Sequence, residues 1–376
     1  MVRRMIIAPL AVLNILAFAS TAIALLAPYV PPHLSTIPSF LELGFIPLIV
    51  LIAGLTIAWI FIKPVACVPN LLLMLAAMPT INAHYASGSE PLPYRGEKSL
   101  TVLSFNVRLF DLYNWSNNNK TRDRILAFID SVNADVICLQ EHFNSSSTSY
   151  FNTLDTLLKV LPEHEAHEEF TSIMHGGLNK FGIATLSRYP IVNKGKIPFD
   201  SAGNNSAIYT DILFEGQVVR IINAHLASVH ITEIQPVLEP NMEQIHRIPA
   251  EGKAGKFINR LKAGFRRREL QTRALASFAC DSHIPTIIGM DLNDTPGSYS
   301  YNLLRQCFED AFLSGPRGLG ATYQSIIPWL RIDYIFYNDF LKPVEFKTIN
   351  ASLSDHRPIF ARFVPDEMVN QKTQRQ

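Results

Sequence analysis

One apolar stretch of the chain ends in a group of carboxylate and amide side chains. Residues 284–290 form a short apolar run that is rich in β-branched residues and bounded by proline and glycine, which predicts a buried strand. Asp291, Asn293 and Asp294 follow at the point where that strand should end. Loops at strand ends hold polar groups over a rigid sheet, so this position favours a binding or catalytic site. The alternative interpretation is a plain turn, since Asn, Asp and Pro are turn formers.

Polar residues of the same kind follow, interrupt or precede other predicted strands. They are Asn106 and Arg108 after residues 100–105, Glu141 after 135–140, His225 after 218–224, Asp333 inside 332–337, and Asp355 and His356 before 358–364. Each has an ordinary explanation by itself, such as a turn, a helix cap or a local ion pair. Together they provide carboxylates and an amide for a hard divalent cation, two imidazoles, and an aspartate able to orient one of them. Hydrolysis of a phosphate ester needs such groups: a cation to neutralise charge, a base for water, and donors to the non-bridging oxygens.

The same residues lie in six short motifs whose order resembles a known superfamily. The motifs are Ser104-Phe105-Asn106, Leu139-Gln140-Glu141, Asn223-Ala224-His225, Asp291-Leu292-Asn293, Ile332-Asp333-Tyr334 and Ser354-Asp355-His356. This order resembles the endonuclease/exonuclease/phosphatase superfamily, which includes deoxyribonuclease I-type nucleases, abasic-site endonucleases, sphingomyelinases and inositol-polyphosphate phosphatases. The resemblance covers residues 100–364, and the ordered set is far more specific than any one motif. The layout, with membrane segments before the domain, resembles that of membrane-anchored bacterial members.

The resemblance implies an α/β fold and a metal-dependent reaction. The implied fold is a four-layer α/β sandwich, in which two β-sheets pack face to face with helices outside. Glu141 would bind Mg²⁺ or Mn²⁺, with Asn106 close by. His356, oriented by Asp333, would act either as a general base or as an imidazolium that stabilises the phosphate.

Further roles follow from the same resemblance. Asp291 and Asn293 would position the nucleophilic water and the phosphate, and His225 would contact the phosphate or the leaving group. Within the last motif, Asp355 is a further candidate metal ligand, and Arg108, just after the first motif, is a further candidate substrate contact.

Two positions depart from the family pattern. The usual Gly-Asp-Phe-Asn is Met290-Asp291-Leu292-Asn293 here, and Ala224 stands where a threonine is usual. Neither change removes a reactive group, so they bear on fine positioning rather than on the presence of the reactive groups.

The first 84 residues predict membrane attachment. Hydrophobic residues make up 48% of the chain, and this excess is concentrated before residue 85. Residues 5–28 and 41–62 are apolar runs long enough to cross a bilayer. Residues 65–83 form a weaker third candidate, interrupted by proline and asparagine, which membrane helices tolerate when neighbours satisfy the backbone. A buried hairpin of a soluble domain is the alternative.

The distribution of positive charge predicts which side of the membrane the remaining chain occupies. Arg3 and Arg4 favour a cytoplasmic N-terminus, and Lys63 lies between the last two candidate spans. Three crossings of the cell membrane then place the rest of the chain outside the cytoplasm, in the periplasm. Cleavage of a signal peptide near Ala22-Ile23-Ala24 would give the same side. Only the loss of the span 65–83 would place the rest of the chain on the cytoplasmic side.

The predicted organisation has four parts. They are a transmembrane region (1–84), a polar linker (85–99), a catalytic domain (100–364) and a disordered polar tail (365–376). In the third part, short apolar strands alternate with helices, which is typical of a mixed α/β domain. The predicted strands are 100–105, 135–140, 181–187, 207–214, 218–224, 284–290, 332–337 and 358–364, and the predicted helices are 121–132 and 298–307.

A basic segment interrupts this alternation. Residues 251–273 contain eight Lys or Arg against two Glu, and Phe257, Leu261 and Phe265 recur every four residues. This pattern predicts an amphipathic basic helix. Its charges suit an anionic membrane surface, a phosphate-rich ligand or simply water. In each case we expect the arginines at 266–268 to lie outside the reaction pocket.

The net charge and the cysteines bear on a few further classes of function. The formal net charge of +1 gives no global field that would attract nucleic acid. The four cysteines form no CxxC or Cys/His cluster, so we expect neither a disulfide framework nor a zinc site. The sequence thus predicts a membrane-anchored phosphoester hydrolase acting on nucleic acid, a phospholipid headgroup or a phosphosugar, with no obligate protein partner. The alternative is a membrane protein that uses this fold only for binding.

Overall fold

The domain after the N-terminal region is built from two stacked β-sheets. A computed structural model describes residues 2–88, 98–147, 150–199, 205–228, 250–324 and 327–365. Each sheet has six strands, the two sheets pack face to face, and helices cover their outer faces. The predicted α/β sandwich is therefore confirmed.

The helices and strands alternate along this domain, as the sequence pattern predicts. The helices are α1 (Val2–Ala24), α2 (Ile37–Glu42), α3 (Phe45–Ile62), α4 (Val68–Ala76), α5 (Met78–His84), α6 (Thr121–Val132), α7 (Thr153–Val160), α8 (Ala250–Cys280) and α9 (Tyr299–Leu304). The strands are β1 (Leu100–Asn106), β2 (Val136–Ser145), β3 (Glu165–Met174), β4 (Asn179–Ser187), β5 (Ile191–Ile197), β6 (Ser206–Phe214), β7 (Gln217–His225), β8 (Thr286–Asp291), β9 (Glu309–Asp310), β10 (Asp333–Tyr337), β11 (Leu341–Thr348) and β12 (Ile359–Pro365).

Both sheets share one topological feature, a single parallel pair at the centre. The strand orders are β11-β12-β1-β2-β4-β3 and β5-β6-β7-β8-β10-β9. All neighbours are antiparallel except β1 with β2 and β7 with β8. The two parallel pairs face each other across the sandwich, β1 near β8 and β2 near β7. Residues that follow these four strands are therefore brought to one edge of the domain.

The interior between the sheets is apolar and close-packed. Val102, Val136, Ile221 and Ile287 belong to one buried cluster that receives side chains from both sheets. At Gly289 the sheets approach so closely that a Cβ would lie 3.1 Å from the sulfur of Cys138. A larger residue there would push the sheets apart, which would disturb the ends of the parallel strands.

The N-terminal region contains two helices long and apolar enough to cross a membrane, α1 and α3. The third predicted span, 65–83, is not one helix. Its residues form a 3-10 turn and then α4 and α5, and the two parts are bent by 53°. Each of the two short helices has a proline in its first turn, Pro69 or Pro79. Proline is compatible with the start of a helix but not with its continuation, so each proline begins a new helix.

The boundaries of the N-terminal region are less sharp than predicted. The linker was expected at 85–99, yet Ala86 forms a β-bridge with Gly318 and is buried. Residues 89–97 of the predicted linker and 366–376 of the predicted tail lie outside the described residues.

Two cysteines pair, contrary to the expectation of no disulfide framework. Cys280 ends α8, Cys307 follows α9, and their Cα atoms are 5.7 Å apart in a disulfide. Their sequence separation is 27 positions. Spacing alone did not indicate the pair, because packing of α8 and α9 on the same sheet brings the two positions together. Cys67 and Cys138 are buried free thiols.

Candidate active site

The predicted site residues converge at the shared edge of the two sheets. Their positions are Asn106 at the end of β1, Glu141 within β2, His225 at the end of β7, Asp291 at the end of β8, Asp333 at the start of β10, and His356 before β12. The antiparallel register of β8 and β10 places Asp291 directly opposite Asp333. The parallel register of β7 and β8 places His225 beside Asp291.

A histidine and two aspartates form the buried centre of this site. His356 Nδ1 lies 2.9 Å from Asp333 Oδ2 and 3.1 Å from Asp333 Oδ1, so the ring donates to this carboxylate. On its other side, His356 Nε2 is 3.8 Å from Asp291 Oδ2. The predicted orientation of His356 by Asp333 thus has the required hydrogen bond, which leaves Nε2 directed toward Asp291.

The electrostatics of this centre favour a charged imidazole. Burial by itself would lower the pKa of His356, but the carboxylates of Asp333 and Asp291 outweigh burial and hold that pKa well above its usual value. Burial raises the pKa of Asp291, His356 opposes the rise, and Asp333 adds to it. At neutral pH the centre therefore combines an imidazolium with a carboxylate that is more basic than usual.

A second group of oxygen donors surrounds Asn106. Its side-chain nitrogen donates to Asp291 Oδ2 at 3.0 Å and to Glu141 Oε1 at 3.2 Å. His225 Nε2 lies 3.6 Å from Asp291 Oδ2 and 3.9 Å from Glu141 Oε1. This nitrogen is buried and has no hydrogen-bond partner in the described part of the chain. Buried polar atoms are normally satisfied, so His225 Nε2 points to a bound group between these side chains.

The oxygen donors fit a hard divalent cation. Glu141 and Asp291 are carboxylates joined by the amide of Asn106, and oxygen ligands of this kind are those that Mg²⁺ and Mn²⁺ prefer. One oxygen each of Asp291 and Asp333 and one nitrogen of His356 also lie within 4.8 Å of one another. The hydrogen bond between His356 and Asp333 already uses two side chains of this cluster, so Glu141 is the better candidate ligand. Asn106 could bind a cation only through its amide oxygen, which here accepts the backbone N–H of Arg108 at 3.0 Å.

The backbone is left-handed at three of the predicted site residues. The φ angles are 49° at Glu141, 56° at Asn293 and 45° at Arg108. Non-glycine residues rarely adopt this conformation, and such outliers concentrate at functional sites. At Asn293 it lets the backbone N–H donate to Asp291 Oδ1 at 3.0 Å, while its side chain donates to the carbonyl of Leu226.

A buried polar network fixes the strands beneath the site. Gln140 donates to Asn223 Oδ1 at 2.8 Å and to the hydroxyl of Ser104 at 3.1 Å. Asn223 donates in turn to the carbonyl of Ala184 at 2.8 Å. Gln140 and Asn223 belong to opposite sheets, and each lies one or two residues before Glu141 or His225. The network therefore holds the two sheets in the alignment that brings those residues together.

Sequence comparison agrees with this geometry. Residues 103–356 match the family model described as the Endonuclease/Exonuclease/phosphatase family. The chain belongs to this family. Its members are phosphoester hydrolases. Residues 4–84 match a second model, described as a domain of unknown function. Among curated proteins, none matches the chain.

Solved structures share the fold of the endonuclease/exonuclease/phosphatase family. One from Beutenbergia cavernae has a TM-score of 0.53 at 17% identity and covers 72% of each chain. One from Bacteroides vulgatus has a TM-score of 0.50 at 16% identity, over 72% of this chain and all (100%) of the other. The human Nocturnin catalytic domain with bound sulfate anion has a TM-score of 0.50 at 18% identity, over 72% and 95%. At these identities the likeness establishes the fold.

The two remaining candidates, Arg108 and Asp355, contact each other. Arg108 Nε lies 3.4 Å from Asp355 Oδ2, and its guanidinium stacks 4.7 Å from the centre of the Trp115 ring. Asp355 lines the same cavity as Glu141 and also receives the hydroxyl of Ser354 at 3.2 Å. The pair places a cation and a carboxylate beside this cavity: Asp355 lines it, and Arg108 and Asp355 together line a smaller neighbouring pocket.

Sequence reasoning missed a tyrosine in the site. Tyr323 lines the cavity, and its ring packs edge-on against His356 with the ring centres 5.1 Å apart. Burial, followed in size by Asp355, raises the pKa of Tyr323 to about 12, so its hydroxyl is a neutral donor. No strand-end motif marks this residue, because it is placed by a β-bridge to His356.

The basic segment contributes to the site, which corrects one expectation. Residues 251–273 lie within helix α8, and the side chain of Phe257 lies outside the described residues. Arg266 and Arg267 are exposed, as expected, but Arg268 is buried and lines the cavity. It lies 3.3 Å from Asp294 and donates to the carbonyl of Ala227 at 2.7 Å. The reason is helical periodicity, since residues 261, 265 and 268 share one face.

Proposed function

We propose that this protein is a membrane-anchored, divalent-metal-dependent phosphoester hydrolase. One observation carries the proposal: an imidazole held by Asp333 faces Asp291, which the amide of Asn106 joins to Glu141. An imidazolium, a basic carboxylate and a cluster of oxygen donors are the groups that phosphoester hydrolysis requires. The Nocturnin catalytic domain, which has the same fold, was solved with sulfate, a tetrahedral oxyanion like phosphate.

The charges assign separate roles to His356 and Asp291. His356, held protonated by its two carboxylate neighbours, donates from Nε2 to a non-bridging phosphate oxygen. Asp291, whose pKa is raised, accepts a proton from the attacking water. The water oxygen bonds to phosphorus as its proton passes to Asp291, and the bond from phosphorus to the leaving oxygen breaks. The leaving oxygen takes up a proton from solvent water, and Asp291 releases its proton to solvent. Of the two roles open for His356, the imidazolium is the one that its surroundings support.

Glu141 and Asn106 would hold the cation, with Asp355 at the edge of the same cavity. When bound, Mg²⁺ or Mn²⁺ neutralises charge on the phosphate oxygens. Asn293 and the orphaned Nε2 of His225 lie beside this group of donors, where they would contact the phosphate. Arg108, which contacts Asp355 beside the cavity, would attract the anionic substrate.

Two features support attachment to a cell membrane with the catalytic domain outside the cytoplasm. Helices α1 and α3 are long and apolar enough to span a bilayer, and the broken pair α4 and α5 would supply a third crossing. The disulfide between Cys280 and Cys307 is of a kind that persists in oxidising compartments. A third crossing from a cytoplasmic N-terminus would place the domain on the periplasmic side, and the disulfide favours that side.

Cysteine labelling tests that location. In chain taken from cells, denatured and alkylated without reductant, we expect two of the four cysteines to react, Cys67 and Cys138, and all four after reduction. In a Cys280→Ser variant three should react without reductant. Four reactive cysteines in the unreduced native sequence would show that the domain folds in a reducing compartment, and would contradict the proposed side.

A small-substrate assay tests the activity. The full-length chain in detergent, with Mg²⁺ or Mn²⁺, should release nitrophenolate from bis(p-nitrophenyl) phosphate, a diester, or from p-nitrophenyl phosphate, a monoester. Which ester reacts faster also separates phosphodiesterase from phosphomonoesterase activity. A folded chain that hydrolyses neither ester with either cation would overturn the proposal.

A further inference from the structure

The cavity that contains the candidate active site has two chemically different groups of lining residues. Its volume is about 340 Å³. The polar group consists of site residues described above, among them Glu141, Asp291 and His356. The apolar group comes from three separate parts of the chain: Leu43, Leu261, Phe265, Ile327, Leu330 and Ile332. We call these six residues the apolar wall.

We propose that the apolar wall binds the hydrocarbon chain of a lipid phosphate ester while the polar group binds its phosphate. This inference rests on the proposed hydrolase function and adds the class of substrate. Burying a hydrocarbon against an apolar surface is favourable, whereas a polar substrate would lose its contacts with water there and gain no hydrogen bonds.

The first support is that the N-terminal region contributes to the wall in a fixed position. Leu43 follows Glu42, a carboxylate that is 2% exposed. Glu42 accepts the backbone N–H of Gly297 at 3.0 Å and the hydroxyl of Thr295, and its Oε1 is 3.2 Å from His84 Nε2. Because 295–297 directly follow the site residues 291–294, these bonds attach the N-terminal region to the reaction loop.

The second support is the distance from the wall to an apolar helix. Leu43 is two residues before Phe45, the first residue of α3. Two residues extend at most about 7 Å, so the wall residue Leu43 lies within that distance of the start of α3. If α3 spans a bilayer, the cavity lies where the hydrocarbon layer begins, and a lipid can reach it without leaving the membrane.

The third support is the chemical type of the wall. Proteins that bind nucleotides without pairing commonly stack the bases on aromatic rings. Five of the six wall residues are aliphatic, and the sixth, Phe265, is 1% exposed and packs edge-on against Phe40 at 5.3 Å. The wall therefore offers a surface for an alkyl chain rather than for a base.

The test uses two homologous series of soluble substrates. Straight-chain alkyl p-nitrophenyl phosphates are read out as nitrophenolate, and straight-chain alkyl phosphates as inorganic phosphate. Both run from ethyl to octyl, below their micellar concentrations, with full-length chain in nanodiscs. We expect kcat/KM to rise by about fourfold for each methylene that the wall buries, until the wall is covered.

Three variants show whether the wall causes that rise. Leu43→Asn and Leu330→Asn place amides on the wall and should flatten the dependence on chain length. Leu43→Phe fills the cavity and should shift the preferred substrate to a shorter chain. The matched control is Leu213→Asn, an exposed leucine opposite Val218 at the far end of β7 from His225, about 23 Å away along the strand. Partition of substrate into the nanodisc is the same for all variants, so it cannot produce the difference.

The outcomes separate this inference from the proposed function. A chain-length dependence that persists in Leu213→Asn and is lost in the wall variants supports the lipid assignment. Equal rates for all chain lengths, or a dependence unchanged by the wall variants, overturn it and leave the hydrolase proposal standing. Faster hydrolysis of a DNA oligonucleotide than of the octyl esters overturns it as well. If neither the alkyl esters nor the oligonucleotide is hydrolysed, the proposed function itself fails.

Discussion

Replacing His356 with alanine is expected to lower kcat by about 10²–10⁴-fold, the range for removal of a group that transfers a proton or stabilises charge in the transition state. His356 is 5% exposed and a hydrogen bond to Asp333 holds its ring, so the alanine variant loses both the donor and its orientation. Asp333→Ala should have an effect of similar size. Because the two residues act as one unit, the double variant should be little slower than the slower single variant.

The pH dependence distinguishes the proposed imidazolium from a structural histidine. If the protonated ring is required, kcat falls as pH rises through the pKa of His356. Asp333 raises that pKa, so Asp333→Asn should move the fall to lower pH. The matched control is His283→Ala, which removes an exposed histidine in the loop before β8. Additive losses in the double variant, or an unchanged pH profile in Asp333→Asn, would contradict the proposal that His356 and Asp333 act together.

The central strands of both sheets were predictable from sequence, and the outer strands were not. The helix predicted at 121–132 is α6 with those bounds, and the predicted strands correspond to β1, β2, β4, β6, β7, β8, β10 and β12. The strands that were not predicted, β3, β5, β9 and β11, are the four outer strands of the two sheets. Central strands are buried on both faces and read as continuous apolar runs, whereas outer strands carry polar residues that blur the pattern. In β5, for example, the sequence Ile191–Ile197 includes two lysines and an asparagine.

Two short helices were also not predicted correctly from the sequence pattern. The helix predicted at 298–307 ends at Leu304, and α7 was not predicted. Both are short, and tertiary packing rather than local pattern decides whether such segments are helical.

The same contrast holds for the site. The convergence of Asn106, His225 and Asp291 was predictable because parallel strands carry their C-terminal residues to one edge. Glu141 lies inside β2, but it directly follows Gln140, where the pairing of β2 with β1 ends, so it reaches the same edge. The position of Glu42 beside the site was not predictable, because its hydrogen-bond partners are distant in sequence. Glu42 bonds Gly297 across 255 positions, and no local pattern in either segment indicates the other. Arg268 was wrongly expected to lie outside the pocket for a different reason. A run of charged residues suggests a face exposed to water, but in this run one member, Arg268, is buried.

Removal of the candidate metal ligand is expected to have the second of the two largest effects. Glu141→Gln keeps the size of the side chain and its bond to Asn106 but removes the charge that would hold the cation. We expect metal affinity to fall by about 100-fold or more, since even residues that only support a ligand change affinity by about 10–100-fold. Hydrolysis should fall in parallel, and EDTA should abolish it in the unmodified chain.

Thermal unfolding gives a readout that does not depend on activity. A cation that binds the folded chain raises its melting temperature with increasing concentration, so Mn²⁺ should stabilise the unmodified chain and not Glu141→Gln. Glu163→Gln is the matched control, because that side chain is 75% exposed and its partner is Arg188. If Mn²⁺ still stabilises Glu141→Gln but fails to stabilise Asp333→Asn, the cation is bound among Asp291, Asp333 and His356 instead. In that case Asp333 could not serve only to orient His356, because its carboxylate would bind the metal. Activity that persists undiminished in EDTA would exclude both positions.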